Sequence, residues 1–164
     1  MRMQEKTYKT MNELVAVCFD ANAIVDNLAY NLDYHYFNEI GTIVHQNVAH
    51  VMPELADEIT DEMLLLSARP TRKAIPEHGE EYGTLAEIFA ELSSLFVNMS
   101  NKVKLLIDVA DMNGDAEVRT FAEDFLAKVT VFVKQADEWV DAIKKLTENE
   151  MNFHIKQYTH FISL

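Results

Sequence analysis

Apolar residues recur at three- and four-residue spacing along almost the whole chain, and four of these runs are long enough to be helices. The first joins Leu14, Cys18, Ala21, Val25, Leu28 and Leu32. Thr10-Met-Asn-Glu13 precedes it with the spacing of a capping box, in which each side chain satisfies a free backbone N–H. This helix is expected to start at Thr10, to run to about His35–Phe37 and to be broken at Gly41. A second stripe, Val44, Val48, Val51, Leu55, Ile59 and Leu66, predicts a helix from about Thr42 to Ser67. Pro53 lies inside it, but the stripe keeps its phase there, so a kinked continuous helix is expected. The pattern stops between Ala68 and Gly83, where Pro70, Pro76 and Gly79 fall. A second capping box, Thr84-Leu-Ala-Glu87, opens a third helix along Leu85, Phe89, Leu92, Phe96, Met99, Val103, Leu106 and Ala110. Asn113-Gly114 stops it. Asp115 is placed to cap a fourth helix, whose stripe runs from Val118 through Phe125, Phe132 and Trp139 to Leu146. Residues 1–9 read as a polar tail and 147–164 as an aromatic arm or short fifth helix.

Four long amphipathic helices over residues 10–146 predict an all-α four-helix bundle. The first and second helices, and the third and fourth, are joined tightly and pair as antiparallel hairpins. The middle link, residues 68–83, reaches ~50 Å when extended, and a 26-residue helix is ~39 Å long. The link can therefore cross the whole bundle. Two hairpins joined by one long crossover is the ferritin-like arrangement.

Composition narrows the chemistry. The chain has 164 residues, 49% of them hydrophobic, enough for one domain with a full core. Four Gly and three Pro are too few for a turn-rich β fold. A net charge of −13 argues against a large nucleic-acid footprint, which needs a basic face, and favours attraction of cations. With one cysteine, Cys18, no internal disulfide forms, and a buried thiol in a reducing, cytoplasmic setting is expected. Residues 1–9 show no apolar leader, and no run approaches the ~20 apolar residues of a membrane span.

Di-iron bundles usually place Glu-x-x-His pairs in their core, and this chain has no Glu-x-x-His, which argues against a core di-iron centre. The second helix offers another arrangement. His50, Glu54, Asp57 and Asp61 line up at spacings of four, three and four, opposite the apolar stripe. They form either a solvated acidic face or an intersubunit metal site completed by His35 of a partner. Oxygen and imidazole donors suit iron, manganese or zinc. His78 reads as a surface residue of the link, and Glu150 with His154 as at most a weak metal pair. The eight methionines read as core filler. No phosphate loop, nucleophile elbow or zinc–cysteine pattern is present.

The segment from His35 to Pro70 carries His35-Tyr36, then Gly41, His45, Asp57-Glu58-Ile59-Thr60-Asp61 and Arg69-Pro70. In these motifs it resembles the mini-ferritins that protect DNA during starvation (Dps). Asn113-Gly114-Asp115 and Trp139 are similar to the family's later features, so the resemblance spans roughly residues 10–145. It implies a homo-oligomeric shell, a dodecamer, that oxidises Fe(II) at dimer interfaces and stores the iron. It also implies that His35, Asp57 and Asp61 are ligands, with His45 the first histidine of the second helix. Four residues after His45 stands Ala49 rather than the family's Asp, and His50 with Glu54 supplies that pair at a shifted position. The alternatives are a ferritin-like shell or interaction protein that has lost its metal site, and a plain helical bundle.

Overall fold

The computed structural model describes residues 1–145. Its elements in chain order are α1 (Glu5–Tyr34), α2 (Asn38–Val44), a π-helical turn (His45–Ala49), α3 (Val51–Leu65), α4 (Leu85–Asn113) and α5 (Ala116–Lys145). The second helix of the sequence reading is thus the run α2–π turn–α3. It returns along α1, and α4 and α5 form the second hairpin; α1 packs on both α3 and α4. This is the expected four-helix bundle, and no strand occurs among the described residues. The arm proposed for 147–164, with Glu150 and His154, lies outside the described residues.

The predicted stripes form the core. Leu14, Cys18, Val25, Leu28, Val48, Leu55, Ile59, Phe89, Phe125 and Trp139 are all buried. Trp139 stacks on Phe89 across the second hairpin, with ring centroids 4.7 Å apart and planes 12° apart. Burial pushes the Cys18 thiol up to about 12, with a smaller contribution from the charge of Glu58. The folded chain then holds a proton that the unfolded chain releases near pH 9. Stability from this group is complete below that pH and falls as pH rises toward 12, by about 1.4 kcal/mol per pH unit. Urea unfolding of wild type and Cys18→Ala across pH 8–11 reads the slope, which the variant should lack.

Two helix ends differ from the sequence reading. α1 begins at Glu5, not Thr10, because the carboxylate of buried Asp115 accepts the Gln4 N–H at 3.1–3.2 Å. Asp115 therefore places a negative charge at the N-terminus of α1, where the helix dipole favours it. Thr10 lies mid-helix and donates to the Lys6 carbonyl. Gly41 does not break the chain; it is buried inside α2, where an added Cβ would meet the Asp33 carboxylate at 2.4 Å. The break falls at Tyr36, whose φ of 68° is left-handed. Around it, Phe37 N–H bonds the Leu32 carbonyl and Tyr36 N–H the Asp33 carbonyl, the paired bonds of a Schellman motif. The same pair of bonds ends α3 around Ser67 and α4 around Gly114. Gly114→Ala forces a Cβ into φ +73° and should cost about 1–2 kcal/mol in chemical denaturation.

The crossover between α3 and α4 runs alongside α1 in rising register. The Tyr8 hydroxyl donates to the Arg69 carbonyl, and Asn12 Oδ1 accepts the Thr71 N–H. Lys73 pairs with Glu13, and the Arg72 guanidinium sits 3.4 Å over the Phe19 ring. His78 Nε2 lies 2.6 Å from Asp20 Oδ1, so this residue is packed against α1 rather than free on the surface. Near the far end, Asn27 and Asn31 both donate to the Glu80 carbonyl, and Asn31 accepts the Tyr82 N–H. The link therefore crosses the bundle lengthwise, as its length allowed.

Candidate metal-binding face

Pro53 shapes this face. It has no N–H to give to the Ala49 carbonyl four residues back, and its ring crowds that carbonyl. Two features absorb the defect. The helix widens upstream into the π turn, closed by the His50 N–H on the His45 carbonyl at 3.2 Å. The Asn22 side chain then donates to the freed Ala49 carbonyl at 2.8 Å. The expected kink is thus a one-turn π insertion within a continuous helix.

The insertion changes which side chains meet. Five residues of α-helix turn a side chain ~140° around the axis, which would keep His45 and His50 apart. In the π turn five residues make about one full turn. The two imidazoles lie edge to face with centroids 4.4 Å apart. His45 Nδ1 is 3.2 Å from Asp26 Oδ1 on α1, an oxygen that is buried and makes no well-formed hydrogen bond. The sequence reading did not single out Asp26, since a lone acid on an amphipathic helix carries no signal of what faces it.

The other candidates lie apart. His35 caps the C-terminal end of α1, its ring edge-on to Tyr34 at 5.2 Å, and lines a polar cleft of about 400 Å³ with Asn27, Tyr30, Asn31 and Glu80. Glu54, Asp57 and Asp61 are exposed along α3. Asp57 is 19 residues beyond Asn38, so it stands about 30 Å along the helical run from the turn that holds His35. One protomer does not bring His35 to Asp57 and Asp61. Farther along, the Glu62 carboxyl is pushed up by burial and then by Glu117, and Glu58 pairs with Lys128 at 2.6 Å. Among the described residues, no three His, Cys, Asp or Glu side chains converge on one point as a ready metal cage.

A family model for ferritin-like domains matches residues 8–146. The chain belongs to the ferritin-like domain family. Solved structures agree on the fold. An open-pore ferritin from the hyperthermophilic archaeon Archaeoglobus fulgidus superposes with a TM-score of 0.88 at 15% identity, covering 95% of this chain and 97% of that one. A humanized archaeal ferritin gives 0.89 at 14%, covering 96% and 97%. A closed form engineered from the Archaeoglobus fulgidus ferritin gives 0.88 at 14%, covering 97% and 96%. No curated protein sequence matches the chain.

This ferritin-like domain has an apolar interior. Among the described residues its buried polar side chains are Thr7, Asn12, Asn27, Asn31, Ser100 and Asp115, and Asp115 is committed to the N-terminus of α1. Ala21, Ala49, Met52, Phe96 and Ala136 are among its buried apolar side chains. Among the described residues, no helix is long and apolar enough to cross a membrane.

Proposed function

We propose that this ferritin-like protein is a Dps-like mini-ferritin: a homo-oligomer that binds and oxidises Fe(II) between subunits and stores the iron, limiting oxidative damage. Iron is substrate and cargo in this reading. The supporting observation is the division of donors between an apolar interior and the outer side of the helices, where Asp57, Asp61, His50 and Glu54 are exposed and His35 and His45 are half-buried. His35 lies at the turn of the first hairpin, and Asp57 and Asp61 stand about 30 Å or more along the helical run from it. A two-fold contact between two such faces, run antiparallel, sets the His35 of one copy against the acids of the other. Repetition of that contact around a closed shell, a dodecamer in this family, leaves the chain's acidic charge to draw cations toward the sites. The same charge disfavours DNA as a partner.

The test loads the full chain with Fe(II) without oxygen and then admits air. Oxidation faster than a buffer control, with iron retained on a large assembly in gel filtration, is the expected result. A large assembly that oxidises no iron beyond the control would establish instead a ferritin-like shell or interaction protein without a working site. That second reading draws on the lack of three convergent donors among the described residues of the protomer. A monomer would remove the intersubunit site.

A further inference from the structure

The crossover between α3 and α4 carries its charge in two separate blocks. Arg69, Arg72 and Lys73 stand in its first half, and Glu77, Glu80 and Glu81 in its second. We infer that this polarity makes the crossover a docking surface for a second copy of the chain. The two crossovers lie antiparallel about a two-fold axis, so that the basic block of each meets the acidic block of the other. The inference rests on the homo-oligomer reading above and not on its iron chemistry.

The blocks are held far apart. Tyr8 binds the Arg69 carbonyl, and Asn27 and Asn31 bind the Glu80 carbonyl. Asn27 is 19 residues beyond Tyr8 on α1, a rise of about 30 Å. The Debye length at physiological salt is about 8 Å, so the blocks do not neutralise each other across the protomer. Among the described residues, Arg69, Arg72, Glu77 and Glu81 form no salt bridge, and all four are exposed. Arg72 lies on the Phe19 ring, which orients its guanidinium and leaves the charge in place. Lys73 and Glu80 are engaged within the protomer, on Glu13 and beside His78. The acidic block borders the polar cleft of about 400 Å³, where Tyr30 and Tyr34 stand beside Glu80 and Glu81. Carboxylates next to open aromatic rings are surroundings that take up a guanidinium. Those two tyrosines are 60% and 80% exposed in the single protomer. Burial, and then the charges of Glu91 and Glu80, push the Tyr82 hydroxyl up, in keeping with a negative potential at this end.

A two-fold axis makes a surface meet itself, so the surface has to be self-complementary. Antiparallel crossovers set three positive charges against three negative ones twice over, and parallel crossovers would set like against like. The antiparallel orientation is also the one that sets His35 of one copy against the acids of the other.

The test uses two charge-reversal variants of the full chain: Arg69→Glu with Arg72→Glu, and Glu77→Lys with Glu81→Lys. Each gives the crossover predominantly one sign, so copies of one variant repel at both contacts. A mixture of the two variants sets opposite signs together again. Sedimentation velocity reads the assembly, and circular dichroism checks that each variant keeps the helix content of the wild type. Each variant alone should need at least about tenfold more protein than the wild type to assemble at low salt, and the equimolar mixture should recover most of that loss. At about 1 M salt, where the Debye length is about 3 Å, the difference between variant and wild type should shrink. The single reversals Arg69→Glu and Glu81→Lys leave Arg72 on Phe19 and should repeat the pattern at smaller amplitude. Variants that assemble like the wild type, or a mixture that does not recover, would overturn the pairing and leave the oligomer reading in place. A monomeric wild type would remove both. Recovery in the mixture without iron oxidation would count against the iron reading alone.

Discussion

Asp57→Ala with Asp61→Ala is expected to slow Fe(II) oxidation by at least about a hundredfold while leaving the assembly intact. The magnitude follows from ligand chemistry: loss of a residue that merely supports a ligand costs about 10–100-fold in metal affinity or activity, and here two carboxylate ligands go at once. The assembly should survive because both side chains are exposed on α3 and touch no buried core residue through a described hydrogen bond. Stopped-flow absorbance after mixing with oxygenated buffer reads the rate, and gel filtration reads the shell. His35→Ala should produce a comparable loss, because in the proposed geometry it faces those acids from the neighbouring copy. Unchanged oxidation in the Asp57/Asp61 variant would place the reaction elsewhere, whatever the rate of the wild type.

The second large effect concerns the core. Trp139→Ala should cost about 3–5 kcal/mol, the usual range for emptying a buried aromatic site. Trp139 is fully buried and stacked on Phe89, so the lost contacts lie on both α4 and α5. In a chain of this size each kcal/mol moves the melting temperature by roughly 2–4 °C, so a fall of roughly 6–20 °C by circular dichroism is expected. A loss under about 1 kcal/mol would mean that neighbouring side chains collapse into the space. Trp139→Phe retains a stacking ring and should recover a substantial part of the difference.

The bundle was legible because burial imposes a period on the sequence. Leu14 through Leu32 and Leu85 through Ala110 repeat every three or four residues, and the structure buries those stripes. The capping box at Thr84 was also legible: Thr84 accepts the Glu87 N–H, and Glu87 returns a bond to the Gly83 N–H. Helix ends set by distant contacts were not. Thr10 has the local pattern of a cap, but the contact that fixes the start of α1 comes from Asp115, 111 positions away. The sequence reading places the break at Gly41, whereas Tyr36 takes the left-handed conformation and Gly41 serves close packing against α1. At the candidate site, the sequence placed Glu54, Asp57 and Asp61 opposite the apolar stripe, and they are exposed on α3. It could not pair His45 with His50, since their spacing of five separates them in the α geometry that a periodic reading assumes. The π turn follows from Pro53 together with Asn22, and only the fold brings those two residues together.

The strap over α1 has a consequence for how its sequence can drift. Five of its hydrogen bonds to α1 use the strap's own main chain: the carbonyls of Arg69 and Glu80, the latter twice, and the amides of Thr71 and Tyr82. Their partners, Tyr8, Asn12, Asn27 and Asn31, all belong to α1. Main-chain groups are common to nearly every residue type, so much of the strap can change its side chains and still follow the same path. The instructions for that path are written on the helix beneath it.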